Sequence, residues 1–226
     1  MQDAKAVAAF FKFKDAFQPD IRICGGDIYD LRPLRRKCDE HERREGLKDD
    51  IDAGNSFLER YLPHYHILGN HEGRLWHLAE RAEGILLEYA NAAIADFEKR
   101  ARAMRCKVLP YDKREGVLKL GDLSFVHGYA SGVSAARTHA QVYGDVVFGH
   151  IHRPSQFTVP GHPKPHTGYS TGCLCKLDMG YDSAHIGSLA HRHGFAYGVV
   201  NERTGSFKVF SAEEMEGVWL MPSDLI

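Results

Sequence analysis

The sequence lacks an apolar run of the length that a membrane-spanning helix needs, roughly 18 residues or more. Its opening segment, residues 1–17, interrupts the apolar residues with lysines and acids. Its five cysteines are odd in number and include no Cys-x-x-Cys pair, which is typical of reduced thiols rather than of a disulfide framework. The formal net charge of −1 does not indicate a general binder of polyanions. We therefore expect a cytoplasmic protein that is neither exported nor inserted into a membrane.

The chain is long enough to bury one substantial core. Its 226 residues are 43% hydrophobic, as in an ordinary globular protein. Since no internal repeat, low-complexity tract or linker divides the sequence, we expect a single domain over residues 1–226. The fourteen histidines are a high number of the side chain most often used to bind metals.

Apolar periodicity predicts helices that alternate with strands. Residues 6–17 have helical spacing and stop before Pro19, and "DIRICGGD" then alternates like a short buried strand. We expect a charged helix from Cys38 to about Leu62, the strand "HYHILGNHE", and a long helix from about Leu75 to Met104. A brief helix near residues 134–142 and several short strands follow: "CKVLPY", "GVLKL", "LSFVHG", "DVVFGH", "SQFTV", "GFAYGVV" and "SFKVF". This order predicts a layered α/β fold with two sheets and helices on the outer faces.

Polar side chains stand where these strands end. They are Asp27 and Asp30 in "GGDIYD", Asn70 and His71 in "GNHE", His127 in "VHG", and His150 and His152 in "GHIH". Ligand sites of open α/β sheets gather at the carboxyl ends of strands. We therefore expect these residues to converge on one crevice, although they are far apart in sequence.

This set of side chains has a specific chemistry. A carboxylate that bridges two cations, an amide oxygen and several imidazoles form a mixed nitrogen and oxygen set that suits zinc, manganese or iron better than calcium. Glycines beside the candidate ligands let the backbone turn sharply. Two metals about 3.5 to 4 Å apart activate a shared water and stabilise a phosphoryl centre, so the pattern indicates a hydrolase.

The ordered series "GGDIYD", "GNHE", "VHG" and "GHIH" resembles the calcineurin-like metallophosphoesterase superfamily, in particular its small phage and bacterial members. The resemblance implies two mixed β-sheets packed together and flanked by helices. It also implies two divalent ions and in-line attack on a phosphoester by a metal-bound hydroxide. The implied residue roles are Asp27 as the bridging ligand, Asn70, His127 and His150 on one metal, His152 on the other, His71 facing the leaving group, and Asp30 orienting His71.

One motif of the superfamily has no match in the expected place. Members carry an Asp-x-His at the end of a first strand, whereas residues 3–20 resemble the helix that follows it. Asp39-Glu40-His41 has the required spelling but follows "RRKC", so a solvated helix face is the better interpretation. We expect the first strand and its two ligands to be absent, through a late start, a deliberate truncation or natural loss. The chain then holds two metals or only one.

Each candidate has a simpler interpretation. Asp27 and Asn70 are also typical of turns and helix caps, and each histidine alone is an ordinary polar strand end. For Cys173 and Cys175, strand packing is favoured over a zinc site because Cys-x-x-Cys spacing is lacking. The histidines of "AHRHGF", His191 and His193, either support the site or face water.

Substrate class is indicated only indirectly. The arginines that grip phosphate in phosphoprotein phosphatases correspond here to Leu31 and Leu68. Arg32, Arg35 and Arg36 are candidates for a phosphodiester backbone, or for a solvated helix start. We therefore favour a phosphodiester or nucleic-acid substrate over a phosphomonoester. The alternatives are a non-catalytic remnant of the fold that acts as a binding domain, and a nucleic-acid-binding module; protein partners are not predicted.

Overall fold

A computed structural model of the chain describes residues 2–35, 40, 44, 46–177 and 190–222. The contacts divide the chain into two compact units. The first unit is Asp20–Gly116, and the second combines Met1–Pro19 with Val117–Ile226. Helices and several sheets occur together, so the predicted mixed α/β class is confirmed.

The first helix, α1 (Ala4–Phe17), is part of the second unit. The first unit contains three short parallel strands, β1 (Ile23–Cys24), β2 (Tyr65–Ile67) and β3 (Lys107–Leu109), in the order β1-β2-β3. Its helices are a 3-10 turn (Arg32–Leu34), α2 (Leu47–Tyr61), α3 (Asn70–Arg81) and α4 (Gly84–Ala103). Parallel pairing requires long crossovers, which these helices provide.

The core of the first unit is built around Phe97 of α4. Its ring makes edge contacts with Tyr29 at 6.0 Å, Trp76 at 5.8 Å and the buried imidazole of His66 at 5.4 Å between centroids. Leu58 on α2 is also fully buried. These contacts anchor the loop after β1, which contains Tyr29, against the helices.

The prediction of one helix from Leu75 to Met104 is wrong in its bounds. Helix α3 already begins at Asn70, and it ends where Ala82 turns to an extended backbone with ψ 158°. Gly84 has φ +57°, a conformation that glycine adopts without the cost of a Cβ clash. The described part of the helix predicted from Cys38 to about Leu62 is α2, Leu47–Tyr61, and Cys38 lies outside the described residues. Among the described helices, α4 included, none is both long and apolar enough to cross a membrane.

The second unit contains two sheets. The five-stranded sheet has the order β4-β5-β6-β8-β7, with strands β4 (Leu118–Leu120), β5 (Leu123–Val126), β6 (Val146–Phe148), β7 (Ser155–Val159) and β8 (His166–Ser170). Its three central strands are parallel, and β4 and β7 pair antiparallel at the edges. The antiparallel sheet β11-β10-β9 is formed by β9 (Gly194–Val200), β10 (Phe207–Met215) and β11 (Val218–Leu220).

Two helices pack on these sheets. Helix α1 places Phe10 and Phe13 against Phe195 of β9, each with ring centroids 5.1 Å apart. The other helix, α5 (Ala135–Tyr143), crosses β8 so closely that a Cβ on Gly168 would lie 2.2 Å from the Ala136 carbonyl oxygen. The sequence predicted both helices and most of these strands, but the predicted strands include neither β8 nor β11.

Candidate functional site

In the first unit, the loop after β1 approaches the start of α3. A Cβ on Gly26 would lie 2.5 Å from the backbone nitrogen of Gly69, and the φ of Gly26 is +95°. Only glycine meets both conditions without strain. The "GGDIYD" and "GNHE" segments are therefore held against each other by backbone packing.

The buried carboxylate of Glu72 holds these two segments together. Its carboxylate is 1% exposed and accepts backbone hydrogen bonds from Asp27 at 2.8 Å, Ile28 at 2.6 Å, Tyr29 at 3.1 Å and Gly69 at 2.8 Å. Burial and the nearby Asp27 carboxylate raise the pKa of Glu72, and the backbone donors act in the opposite direction. Glu72 lies three residues after the N-cap Gly69, a position that is a helix-start signal, but no strand-end pattern marks it as part of the site.

The candidate bridging ligand Asp27 also serves as a helix cap. Its Oδ1 accepts a hydrogen bond from the backbone N–H of His71 at 2.9 Å, near the start of α3. Asp27 has a left-handed backbone with φ 55°, which is uncommon outside glycine and concentrates at functional sites. This hydrogen bond supports the interpretation of Asp27 as a helix cap.

The neighbouring candidate ligand Asn70 is the first residue of α3.

His71 lies between two carboxylates. Its Nδ1 is 3.2 Å from Oδ1 of Asp30, and its Nε2 is 3.8 Å from Oδ2 of Asp27. Burial raises the pKa of Asp30, but hydrogen bonds from His71 and Arg32 outweigh it, so that the pKa of this carboxyl lies below its usual range. Asp30 is therefore ionised and suited to orient the His71 ring.

Asp50 of α2 holds the far end of the loop. Its two oxygens accept the backbone N–H groups of Asp30 at 3.2 Å and of Leu31 at 2.8 Å. Leu31 has φ 47°, so this carboxylate stabilises a backbone turn that a leucine seldom adopts. Sequence pattern gave no sign of this role, because Asp50 reads as an ordinary acid in the first turn of a helix.

The candidate phosphate-binding arginines differ in their surroundings. Arg32 is buried, and its Nε donates to Oδ2 of Asp30 at 2.8 Å. Arg35 is half-buried beside the 3-10 turn. Arg36 lies outside the described residues, as do Asp39 and His41.

In the second unit, His127 and His150 meet at the ends of neighbouring parallel strands. His127 follows β5 and is 1% exposed, and His150 follows β6, which pairs with β5 in parallel. The Nε2 of His127 lies 3.3 Å from the Nδ1 of His150. This is the convergence at strand ends that the sequence predicted for these two residues.

The local backbone supports this approach of two imidazoles. Gly128 has φ +122°, and a Cβ there would lie 2.8 Å from the Cβ of His150. His150 itself has a left-handed backbone with φ 66°. Two nitrogens bound to one tetrahedral zinc ion stand about 3.4 Å apart, so the observed spacing of 3.3 Å fits two ligands of one metal.

The buried histidine His139 on α5 has a structural role. Its Nε2 accepts the backbone N–H of Tyr129 at 2.9 Å, and its Nδ1 lies 2.8 Å from the carbonyl oxygen of Ala135. The ring stacks on Phe148 with centroids 4.0 Å apart. Since Nε2 accepts, the proton is on Nδ1 and the ring is neutral. Burial lowers the pKa of His139.

His152 belongs to a separate group of side chains with two cysteines. Its Nδ1 is 4.0 Å from Sγ of Cys175, and the nitrogen and the two sulfurs of His152, Cys173 and Cys175 all lie within 4.8 Å of one another. Cys173 Sγ donates to the Arg192 carbonyl at 3.7 Å, and the interaction with Cys173 lowers the pKa of Cys175, against the effect of burial. His191 packs against His152 with ring centroids 5.1 Å apart, and His193 Nε2 lies 3.0 Å from the Cys175 carbonyl oxygen.

The chain was compared with models of protein families and with curated proteins. No family model matches it, and no curated protein matches it significantly. Any assignment of function to this chain therefore depends on its own side chains and their geometry.

Proposed function

We propose that the protein is a metal-dependent phosphoesterase. The proposed metal ligands are Asp27, Asn70, His127 and His150, with His152 on a second metal. The proposal includes the layered fold of the calcineurin-like metallophosphoesterases, although only the five-stranded sheet of this chain is mixed. It is supported by the four motifs in their order and by the parallel strands that precede them.

The observation that carries the proposal is the pair His127 and His150. Two imidazole nitrogens 3.3 Å apart, presented by adjacent parallel strands, are close enough to share one metal ion. Left-handed backbone at His150 and at Asp27 is a second sign of residues held for function. Both features fall on residues that the motif order had selected.

These ligands are imidazole nitrogens and side-chain oxygens, a set that fits zinc, manganese or iron. When bound, such ions polarise phosphoryl oxygens and lower the pKa of bound water. Asp27 is held for this role by its own backbone N–H, which donates to Glu72 at 2.8 Å. The ligand is thus oriented before any ion binds.

His71 is the proposed catalytic residue that assists departure of the leaving oxygen. Its Nδ1 faces Asp30 at 3.2 Å, so the carboxylate holds a proton on Nδ1 and leaves Nε2 for proton transfer. A positioned acid of this kind contributes about 10²- to 10⁴-fold to the rate. Asp30, which is itself held by Arg32 at 2.8 Å, acts as a positioning residue.

A phosphodiester substrate is favoured over a phosphomonoester. Leu31 and Leu68, at the positions where phosphoprotein phosphatases carry arginine, are 2% and 3% exposed. Arg32 is engaged with Asp30. A phosphodiester carries about one charge less than a monoester, so it has less need of the guanidinium clamp.

The test is hydrolysis of two chromogenic esters, bis-(4-nitrophenyl) phosphate and 4-nitrophenyl phosphate, by the full chain loaded with manganese or zinc. We expect hydrolysis of the diester, loss of activity on chelation, and loss in His127→Ala and Asp27→Ala. His77→Ala, which changes an exposed histidine of α3, is the matched control and should retain activity. Metal binding without hydrolysis of either ester, or of single-stranded DNA and RNA, would identify a binding domain and contradict the proposal.

A further inference from the structure

The Cys-x-Cys segment that follows β8 lies beside His152. The donor atoms of His152, Cys173 and Cys175 lie within 4.8 Å of one another. All three residues belong to the second unit and are partly buried. Two thiols and an imidazole gathered at one point form a donor set that none of the four motifs explains.

We propose that His152, Cys173 and Cys175 bind one zinc ion through an imidazole nitrogen and two thiolate sulfurs, with a fourth position open. The inference concerns the metal held by His152. It depends only on contacts within the second unit and does not require phosphoesterase activity.

The distances suit a tetrahedral ion after small side-chain shifts. Zinc–sulfur bonds of about 2.3 Å and zinc–nitrogen bonds of about 2.0 Å place a nitrogen about 3.6 Å from a sulfur in a tetrahedron, and two sulfurs about 3.8 Å apart. The Nδ1 of His152 lies 4.0 Å from the Sγ of Cys175. A movement of a few tenths of an ångström brings this pair to coordination distance.

Spacing explains why Cys-x-Cys suffices here. In an extended segment, residues i and i+2 point to the same side, and both cysteines take part in isolated bridges, Cys173 with His193 and Cys175 with Gln2. The two thiols therefore face the same neighbour without the turn that a Cys-x-x-Cys pair would need. Strand packing, the simpler interpretation from sequence, does not account for the imidazole beside them.

The backbone fixes the three ligands relative to one another. Cys173 N–H donates to the Arg192 carbonyl at 3.0 Å, and Arg192 N–H donates to the His152 carbonyl at 2.9 Å. A Cβ on Gly172 would lie 2.5 Å from the Arg192 carbonyl oxygen, so the segments pass as closely as a glycine allows. His152 has φ 54°, which directs its ring away from the path of a regular strand. The donor set is thus preorganised.

The donor atoms select among metals. Thiolates favour zinc, copper(I) and iron over magnesium, calcium and manganese. Coordination releases the thiol protons to solvent, and no change of oxidation state is involved. Three protein ligands leave one position for water or a substrate atom, as at zinc sites that act in catalysis.

The test is titration of the reduced, metal-free full chain with cobalt(II), followed by absorption spectroscopy. Cobalt bound to thiolates gives a sulfur-to-cobalt charge-transfer band, whereas cobalt on His127 and His150 has no sulfur ligand and gives none. We expect one equivalent of cobalt to develop the band and one equivalent of zinc to remove it. The band should be lost in Cys173→Ser and Cys175→Ser, and cobalt affinity should fall roughly tenfold or more in His152→Ala.

Two controls separate this inference from misfolding and from the phosphoesterase proposal. Cys106→Ser, a change at a buried cysteine of the first unit, should keep the band. His127→Ala should keep the band while losing hydrolysis, so either proposal can fail alone. If the serine variants do not fold, alkylation of the wild-type chain is decisive, because zinc should protect Cys173 and Cys175 together.

Three results would overturn the inference. The first is a reduced wild-type chain that shows no charge-transfer band. The second is a band that persists in the Cys173→Ser/Cys175→Ser double variant. The third is alkylation of Cys173 and Cys175 at the same rate with and without zinc, which would identify the pair as packed thiols.

Discussion

The Nε2 of His127 lies 3.3 Å from the Nδ1 of His150, although 23 residues separate them in sequence. The parallel register of their strands, Val126 with Phe148, brings the two rings together. Their nitrogens are spaced as two ligands of one ion would be. Metal binding is therefore the first property to measure.

We expect manganese or zinc to raise the thermal midpoint of wild-type unfolding but not that of His127→Ala or His150→Ala. An ion present at about 100 times its dissociation constant stabilises by about 2.7 kcal/mol, and removal of one imidazole weakens the site. Differential scanning fluorimetry with and without metal measures this effect. His77→Ala is the control, and an equal shift in all four proteins would exclude the pair as ligands.

Glu72→Gln should lower the free energy of unfolding by roughly 3 kcal/mol. The amide places a donor against two of the four backbone N–H groups that the carboxylate accepts, and such buried groups cost about 1–3 kcal/mol each when left unsatisfied. Urea unfolding followed by circular dichroism measures the loss. Glu88→Gln on the exposed face of α4 should change stability little. A loss no larger than that of Glu88→Gln would show that Glu72 does not hold the loop.

Replacement of His71 should slow hydrolysis most for esters with poor leaving groups. A proton donor matters little when the leaving group is an acidic phenol and matters most for an alkoxide. For His71→Asn we expect kcat to fall about 10²- to 10⁴-fold with alkyl phosphodiesters, and less with 4-nitrophenyl esters. Steady-state kinetics with esters of different leaving groups gives the slope of log kcat against the pKa of the leaving group. The same slope in wild type and variant would assign His71 a purely structural role.

The contribution of Asp30 to stability should disappear at low pH. Its folded-state pKa is lowered from 3.8, so the stabilisation is present above the unfolded pKa and is lost as pH falls through the folded value. At neutral pH Asp30→Asn should cost roughly 1–3 kcal/mol, because the bonds from His71 and Arg32 are charge-assisted. The difference from wild type should shrink under acid conditions. Asp15→Asn, at an exposed carboxylate, is the control for a surface charge.

His139 should make the second unit less stable as pH falls. Its folded-state pKa is lowered from 6.5 by burial. The stabilisation is therefore fully present above the unfolded pKa and declines as pH falls toward the folded pKa, because only the unfolded chain binds the proton. The free energy of unfolding should fall with a slope that approaches about 1.4 kcal/mol per pH unit between the two pKa values. This slope should be reduced in His139→Gln relative to His77→Gln, and equal slopes in the two variants would contradict a neutral buried ring.

The apolar patterning and the breakers of the sequence predicted the mixed α/β class, most strands, and helices α1 and α5. The sequence also indicated that His127 and His150 are neighbours, since the ends of adjacent parallel strands meet at one edge of a sheet. The break between α3 and α4 was missed, because apolar residues continue on one face across it. The positive φ of Gly84 and the extended backbone of Ala82 end α3 before α4 begins.

Sequence alone determined which residue types stand at the strand ends and in which order, because both are local features of the chain. Only the tertiary structure decided what supports them. Glu72 reaches Asp27 across 45 residues, Asp50 reaches Leu31 across 19, and Cys175 meets His152 across 23. Such contacts depend on how helices and strands pack, and no spacing within one segment encodes them.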